Sequence, residues 1–203
     1  RGRFPGGGLC ACISAAMASS SSSAAAASPH SSSNALPRLG AMASAISSGV
    51  GSDAAGGPRG AAGRGGQLRR GAEVATGELL LFLHADTWLD EDWHQAVAVH
   101  VQSSENAAYF RLRFRAEGIA PRAVAGWANL RSRLFGLPYG DQGLLISRAL
   151  YDRVGGYTDR PLMEDVAIAR LLRGRMRPLA ARAVTSPARY ERDGWLRRGA
   201  LWH

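Results

Sequence analysis

The chain contains no lysine, so all 25 of its basic residues are arginine. Acids are scarce where the chain begins: over residues 1–62 the only one is Asp53, against four arginines, which leaves +3 there and +6 on residues 63–203. Most of the excess charge therefore lies on the second part, and it favours anionic ligands such as a nucleotide diphosphate, nucleic acid or an anionic membrane surface. An all-Arg chain rich in Ala and Gly also fits a biased base composition, and both readings stand. Cysteine is limited to Cys10 and Cys12, with no Cys or His partner at zinc-finger spacing. No segment reaches the ~18 consecutive apolar residues of a membrane-spanning helix, which leaves at most peripheral membrane contact. No internal repeat is visible.

Large apolar side chains are also nearly missing before residue 63. Residues 1–62 are almost entirely Ala, Ser, Gly and Pro with runs such as Ser19 to Ala27, too little apolar surface to offset the entropy of ordering, so the expectation is a disordered tail without an apolar strand run. From Met17 this tail is Ser- and Ala-rich and acid-poor with scattered Arg, the composition of an organellar transit peptide. The localisation expected is thus cytoplasmic or plastid/organellar. The chain opens on Arg1 rather than Met, as expected of a fragment or an over-extended reading frame.

From Gly63 the pattern becomes α/β. Leu68, Ala72 and Ala75 lie at helical spacing before Gly77. Leu79-Leu80-Leu81-Phe82-Leu83 is five apolar residues in a row, the pattern of a strand buried on both faces as in a parallel sheet, and His84-Ala85-Asp86 forms its polar end. In open α/β sheets ligands bind at that edge. Asp86 there is either a metal-holding carboxylate or the N-cap of a following helix. Asp90-Glu91-Asp92 opens a helix with Trp93, Val97 and Val101 on one face. In 107–116, Phe110, Leu112 and Phe114 alternate with Arg111, Arg113 and Arg115, which predicts a half-exposed strand with a solvated basic face. A helix is predicted from Pro121, with Val124, Trp127, Arg131 and Leu134 at helical spacing and Gly136 as its end. Tyr139-Gly140-Asp141-Gln142-Gly143 reads as a polar loop before a strand at 144–146 and a helical turn at 148–154. Glu164-Asp165 opens a helix, where the macrodipole alone is one explanation for two acids. A last strand is expected at 178–184, then a loop carrying Arg189 into a terminal helix.

Gly63-Arg64-x-x-Gln67, Leu81-Phe82-Leu83-His84-Ala85-Asp86-Thr87, Tyr139-Gly140-Asp141-Gln142-Gly143, Val154-Gly155-Gly156-Tyr157 and Pro161-Leu162-Met163-Glu164-Asp165-Val166, in this order, resemble the family 2 glycosyltransferases of GT-A fold, most closely a bacterial-type subgroup. The resemblance runs from about residue 63 to about 195. It implies a partial GT-A, Rossmann-like mixed sheet with flanking helices, as a truncated glycosyltransferase domain over 63–203. It implies inverting transfer of a sugar from a nucleotide-diphosphate donor to a hydroxyl acceptor. Asp86 would hold Mn²⁺ or Mg²⁺, with His84 either a second ligand that favours Mn²⁺ or an orienter of Asp86. Asp165 would be the catalytic base with Glu164 beside it. Arg64 and Gln67 would bind the donor along with His84 and Asp86, and Asp141, Gln142 and Arg189 would bind the acceptor or phosphates.

The chain departs from the pattern in two places. The strand-helix-strand half that cradles the nucleotide base in the family is replaced by the Ala/Ser/Gly tail, so the strand at 79–83 is expected to lack neighbours. Arg69 stands where Asn is expected. The alternative function is a non-catalytic GT-A remnant acting as a basic binding protein. Specific nucleic-acid binding is not expected, because aromatic and basic residues interleave only at 109–115, where the aromatics face inward.

Overall fold

The computed structural model describes residues 10–15 as backbone, then 64–159, 163–195 and 197. Of the tail expected to be disordered, all but residues 10–15 lies outside the described residues, as do Gly63, Pro161 and Leu162 of the motifs.

The described chain forms a mixed α/β structure around one sheet. Its strands are β1 (Cys10–Ala15), β2 (Leu79–His84), β3 (Thr87–Leu89), β4 (Ala107–Phe114), β5 (Leu144–Ser147) and β6 (Met176–Thr185), in the order β1-β2-β5-β4-β6-β3. Its helices are α1 (Arg64–Val74), α2 (Trp93–Ser103), α3 (Ile119–Phe135), α4 (Arg148–Arg153), α5 (Glu164–Leu171) and α6 (Ala188–Asp193), with a 3₁₀ turn at Gly140–Gln142.

The buried strand β2 is not in a parallel arrangement. It pairs antiparallel with β1 on one side and β5 on the other, and only β4 and β6 run parallel. Leu79 to Leu83 are buried on both faces because helices cover both faces, a condition that leaves strand direction open. Leu80 and Phe82 pack with Leu68 and Ala72 of α1 and with Ile168 and Ala169 of α5, whereas Leu79, Leu81 and Leu83 pack with Val97 of α2. Nor is β2 left without neighbours, since Cys10–Ala15 pairs along its whole length. Strands β2, β4 and β6 end at one edge of the sheet and β3 and β5 begin there, so the turns after residues 84 and 185 and the loop before 144 converge.

Two local expectations are corrected. No helix follows Asp86: Ala85 and Asp86 form a two-residue turn into β3, whose Thr87–Leu89 pairs with Ala183–Thr185, so the helix-cap role for Asp86 falls away. In α3 the inward residues are Pro121, Ala125, Ala128, Arg131 and Ser132, while Trp127 and Leu134 face outward. Small side chains allow α3 to lie close over Leu112 and Phe114, and the large apolar ones are left outside.

Candidate functional site

The site forms where β2 ends. His84 is its last residue, partly buried, and Arg64 at the start of α1 donates from Nη2 to its Nε2 at 2.6 Å. Because a guanidinium only donates, Nε2 is the acceptor and the imidazole proton sits on Nδ1. Burial, then the charge of Arg64, lowers the pKa of His84 to about 4, against smaller opposing pulls from Asp86 and Asp165. His84 is therefore uncharged at neutral pH.

The same guanidinium reaches a second element. Arg64 Nε lies 3.0 Å from Oε1 of Glu164, which is buried at the first turn of α5. One arginine thus ties α1 to the end of β2 and to α5. Glu164 is preceded by Met163 at φ 64°, the only described non-glycine residue with positive φ, a conformation that costs on the order of 1–2 kcal/mol for a side-chain-bearing residue.

Asp165 lies beside this group. Its Oδ2 accepts from the Gly140 backbone N–H at 2.9 Å and its Oδ1 from the Val166 N–H at 2.8 Å. Each carboxylate oxygen keeps a lone pair beyond these bonds. Gly140 meets the site on two sides: a Cβ there would collide with His84 Nε2 and stand 2.8 Å from His84 Cε1. Only glycine lets the 140–142 turn rest on the imidazole while donating to Asp165.

Asp141 and Gln142, adjacent in sequence, have different environments. Asp141 is half-buried as a residue, but its Oδ1 is enclosed without a partner. Burial first, then the negative charge of Asp165, raises its pKa to about 6, with Arg131 pulling the other way. Gln142 is fully buried and serves as a strut. Its Oε1 accepts from Ser132 Oγ at 2.5 Å, and its Nε2 donates to the Phe110 carbonyl at 3.3 Å and Asn129 Oδ1 at 3.2 Å. It holds the site turn against β4 and α3, and its amide is spent on these three bonds.

Asp86 is about one-third exposed on the far side of the turn, with Arg189 of α6 3.6 Å away. Ser186 N–H and Thr185 Oγ1 donate to the Asp86 carbonyl and fix the turn against the end of β6. Gln67 is exposed, one turn along α1 from Arg64. Arg69, at the position where Asn is expected, is also outward-facing and pairs with Glu73 across one helical turn. The structure thus brings together Arg64, His84, Asp86, Asp141, Glu164, Asp165 and Arg189, sets Gln142 behind them as support, and leaves Gln67 at the surface.

A cavity of about 20 Å³, room for about one water, lies among His84, Tyr139, Gly140, Glu164 and Asp165. A roomier depression of about 580 Å³ opens at the opposite edge of the sheet beside Arg153 and Arg175, away from every expected site residue. Among the described residues no group of three or more His, Cys, Asp or Glu is arranged to hold a metal. A cation held by Asp86 would therefore have to be completed by ligand oxygens and water, as Mg²⁺ commonly is at diphosphates. The Nε2 of His84 is taken up by Arg64 and is not open to a metal in this arrangement.

Arg131 and Arg148 have structural roles beyond those read from the sequence. Arg131 is buried in α3 with its guanidinium 3.5 Å from the Tyr139 ring centroid. Arg148 donates to the carbonyls of Ala72, Ala75 and Gly77, closing the carboxyl end of α1. The spacing of Val124, Trp127, Arg131 and Leu134 singles out Arg131 but not its ring contact, and Arg148 has no spacing that distinguishes it from a surface arginine.

No protein-family model, no curated protein and no solved structure matches the chain. The likeness to family 2 glycosyltransferases therefore rests on the five motifs alone.

Proposed function

We propose that this chain is an inverting glycosyltransferase that moves a sugar from a nucleotide-diphosphate donor to a hydroxyl acceptor. The observation that carries the reading is the meeting of three separate motifs at one sheet edge: His84 and Asp86 from the end of β2, Gly140 and Asp141 from the 3₁₀ turn, and Glu164 and Asp165 from α5.

Asp165 is the base. Its carboxylate is fixed by the Gly140 and Val166 N–H groups and takes the proton of the acceptor hydroxyl as that oxygen bonds to the anomeric carbon from the face opposite the leaving group. The bond between the anomeric carbon and the diphosphate oxygen breaks, and its electron pair leaves on the diphosphate. One displacement inverts the configuration and needs no covalent intermediate. Arg189 and the outer edge of Arg64 offer guanidinium donors to the diphosphate. Neutral His84 gives the adjacent phosphate no negative neighbour and keeps Arg64 in place. Asp86 would hold Mn²⁺ or Mg²⁺, which when bound offsets the charge on the departing diphosphate.

A binding role without turnover is the second reading. It is favoured by the way the charges already pair with one another, Arg64 with Glu164 and Arg189 with Asp86.

Turnover of nucleotide-activated hexoses with Mn²⁺ tests the proposal, read as released nucleoside diphosphate with water or added alcohols as acceptor. The wild-type chain releases diphosphate, and Asp165→Asn lowers the rate on the order of 10²–10⁴-fold while leaving nucleotide affinity unchanged. Equal rates for the two proteins would remove Asp165 as base. Nucleotide binding without turnover in the wild type would favour the second reading.

A further inference from the structure

We propose that the outward face of α3 docks on an anionic membrane surface. This inference rests on α3 alone and is independent of the glycosyl-transfer reading.

At 3.6 residues per turn, Ile119, Ala123, Leu130 and Leu134 fall in one stripe, opposite the buried Pro121, Ala125, Ala128 and Ser132. The outer stripe is well exposed, Ile119 at 87 % and Leu134 at 66 %. A helix held to its own core by one face normally presents charge on the other. Here the opposite face is apolar along 17 residues, about 25 Å at 1.5 Å per residue.

The charges beside the stripe select the occupant. Arg122 and Arg133 line one edge of it, and α3 contains no acid; the nearest preceding one, Glu117, stands two residues before the helix. Against a second copy of this face, α3 offers no carboxylate to pair with those arginines. A bilayer with anionic lipids supplies both what the stripe and its edge lack, an apolar layer at shallow depth and negative charge at headgroup level. No helix among the described residues is long and apolar enough to cross a membrane, so the contact is an in-plane one.

Flotation of the full chain with vesicles tests the proposal, using phosphatidylcholine alone and phosphatidylcholine mixed with phosphatidylglycerol. The wild-type chain floats with the mixed vesicles, does not float with phosphatidylcholine alone, and is released by salt. The double variant Leu130→Ser/Leu134→Ser loses at least tenfold in partitioning. Arg122→Gln/Arg133→Gln loses about fivefold per arginine, and its circular dichroism stays that of the wild type because both side chains are exposed. Failure of the wild type to float with mixed vesicles would overturn the proposal, as would equal flotation of the arginine variant. A wild-type dimer in sedimentation that the leucine variant converts to monomer would assign the face to a second copy instead.

Discussion

His84 and Asp141 respond to pH with opposite signs. The folded-state pKa of His84 is depressed to about 4, so below its unfolded value of about 6.5 the unfolded chain binds the extra proton, and this residue lowers stability as pH falls from about 6.5 to 4. The pKa of Asp141 is raised to about 6, so between about 4 and 6 the folded chain holds the extra proton, and stability is lost as pH rises through that window. In the wild type the two slopes largely cancel. Asp141→Asn removes one of them. This variant should be more stable than the wild type at pH 7, by roughly 1–3 kcal/mol for the two-unit shift removed, should match it near pH 4, and should show stability rising between 4 and 6.5. Urea denaturation across that range measures it, and a variant less stable than the wild type at pH 7 would show that the enclosed carboxylate is paired after all.

At the scale of elements, Gln142 shows how a motif residue can serve the site without facing it. Its amide joins the 3₁₀ turn, β4 and α3 through three hydrogen bonds, and Asn129 continues the link by accepting from the Leu112 N–H and donating to the Leu112 carbonyl. Gln142→Ala strands those buried groups and should cost about 2–4 kcal/mol, which thermal unfolding would register; a loss below about 0.5 kcal/mol, typical of a surface position, would contradict the strut role. From sequence the residue read as an acceptor contact, because composition and spacing do not say on which side of a loop a side chain lies. Where a period couples to burial, the sequence was legible. The alternation of Leu112 and Phe114 with Arg111 and Arg113 appears in β4, and Leu68 and Ala72 face inward on α1. It misled in α3, where the largest apolar residues suggested the inner face and the alanines occupy it, because close helix-to-sheet approach favours small side chains. It was silent on the direction of β2, since burial on both faces is compatible with parallel and antiparallel neighbours alike.

For the whole molecule, the edge where β2, β4 and β6 end gathers the acids and arginine that four of the motifs distribute over about a hundred residues of chain. That convergence is the ground for reading a nucleotide-diphosphate site, and Asp86 is its most exposed acid within reach of an arginine. Calorimetric titration of the full chain with nucleoside diphosphates, with Mn²⁺ or with chelator, tests this most directly. The expected result is binding that requires the metal and weakens at least tenfold in Asp86→Asn, with unfolding temperature unchanged because that carboxylate is partly exposed. Binding of equal strength and equal metal dependence in wild type and Asp86→Asn, or no binding of any nucleoside diphosphate by the wild type, would contradict the account.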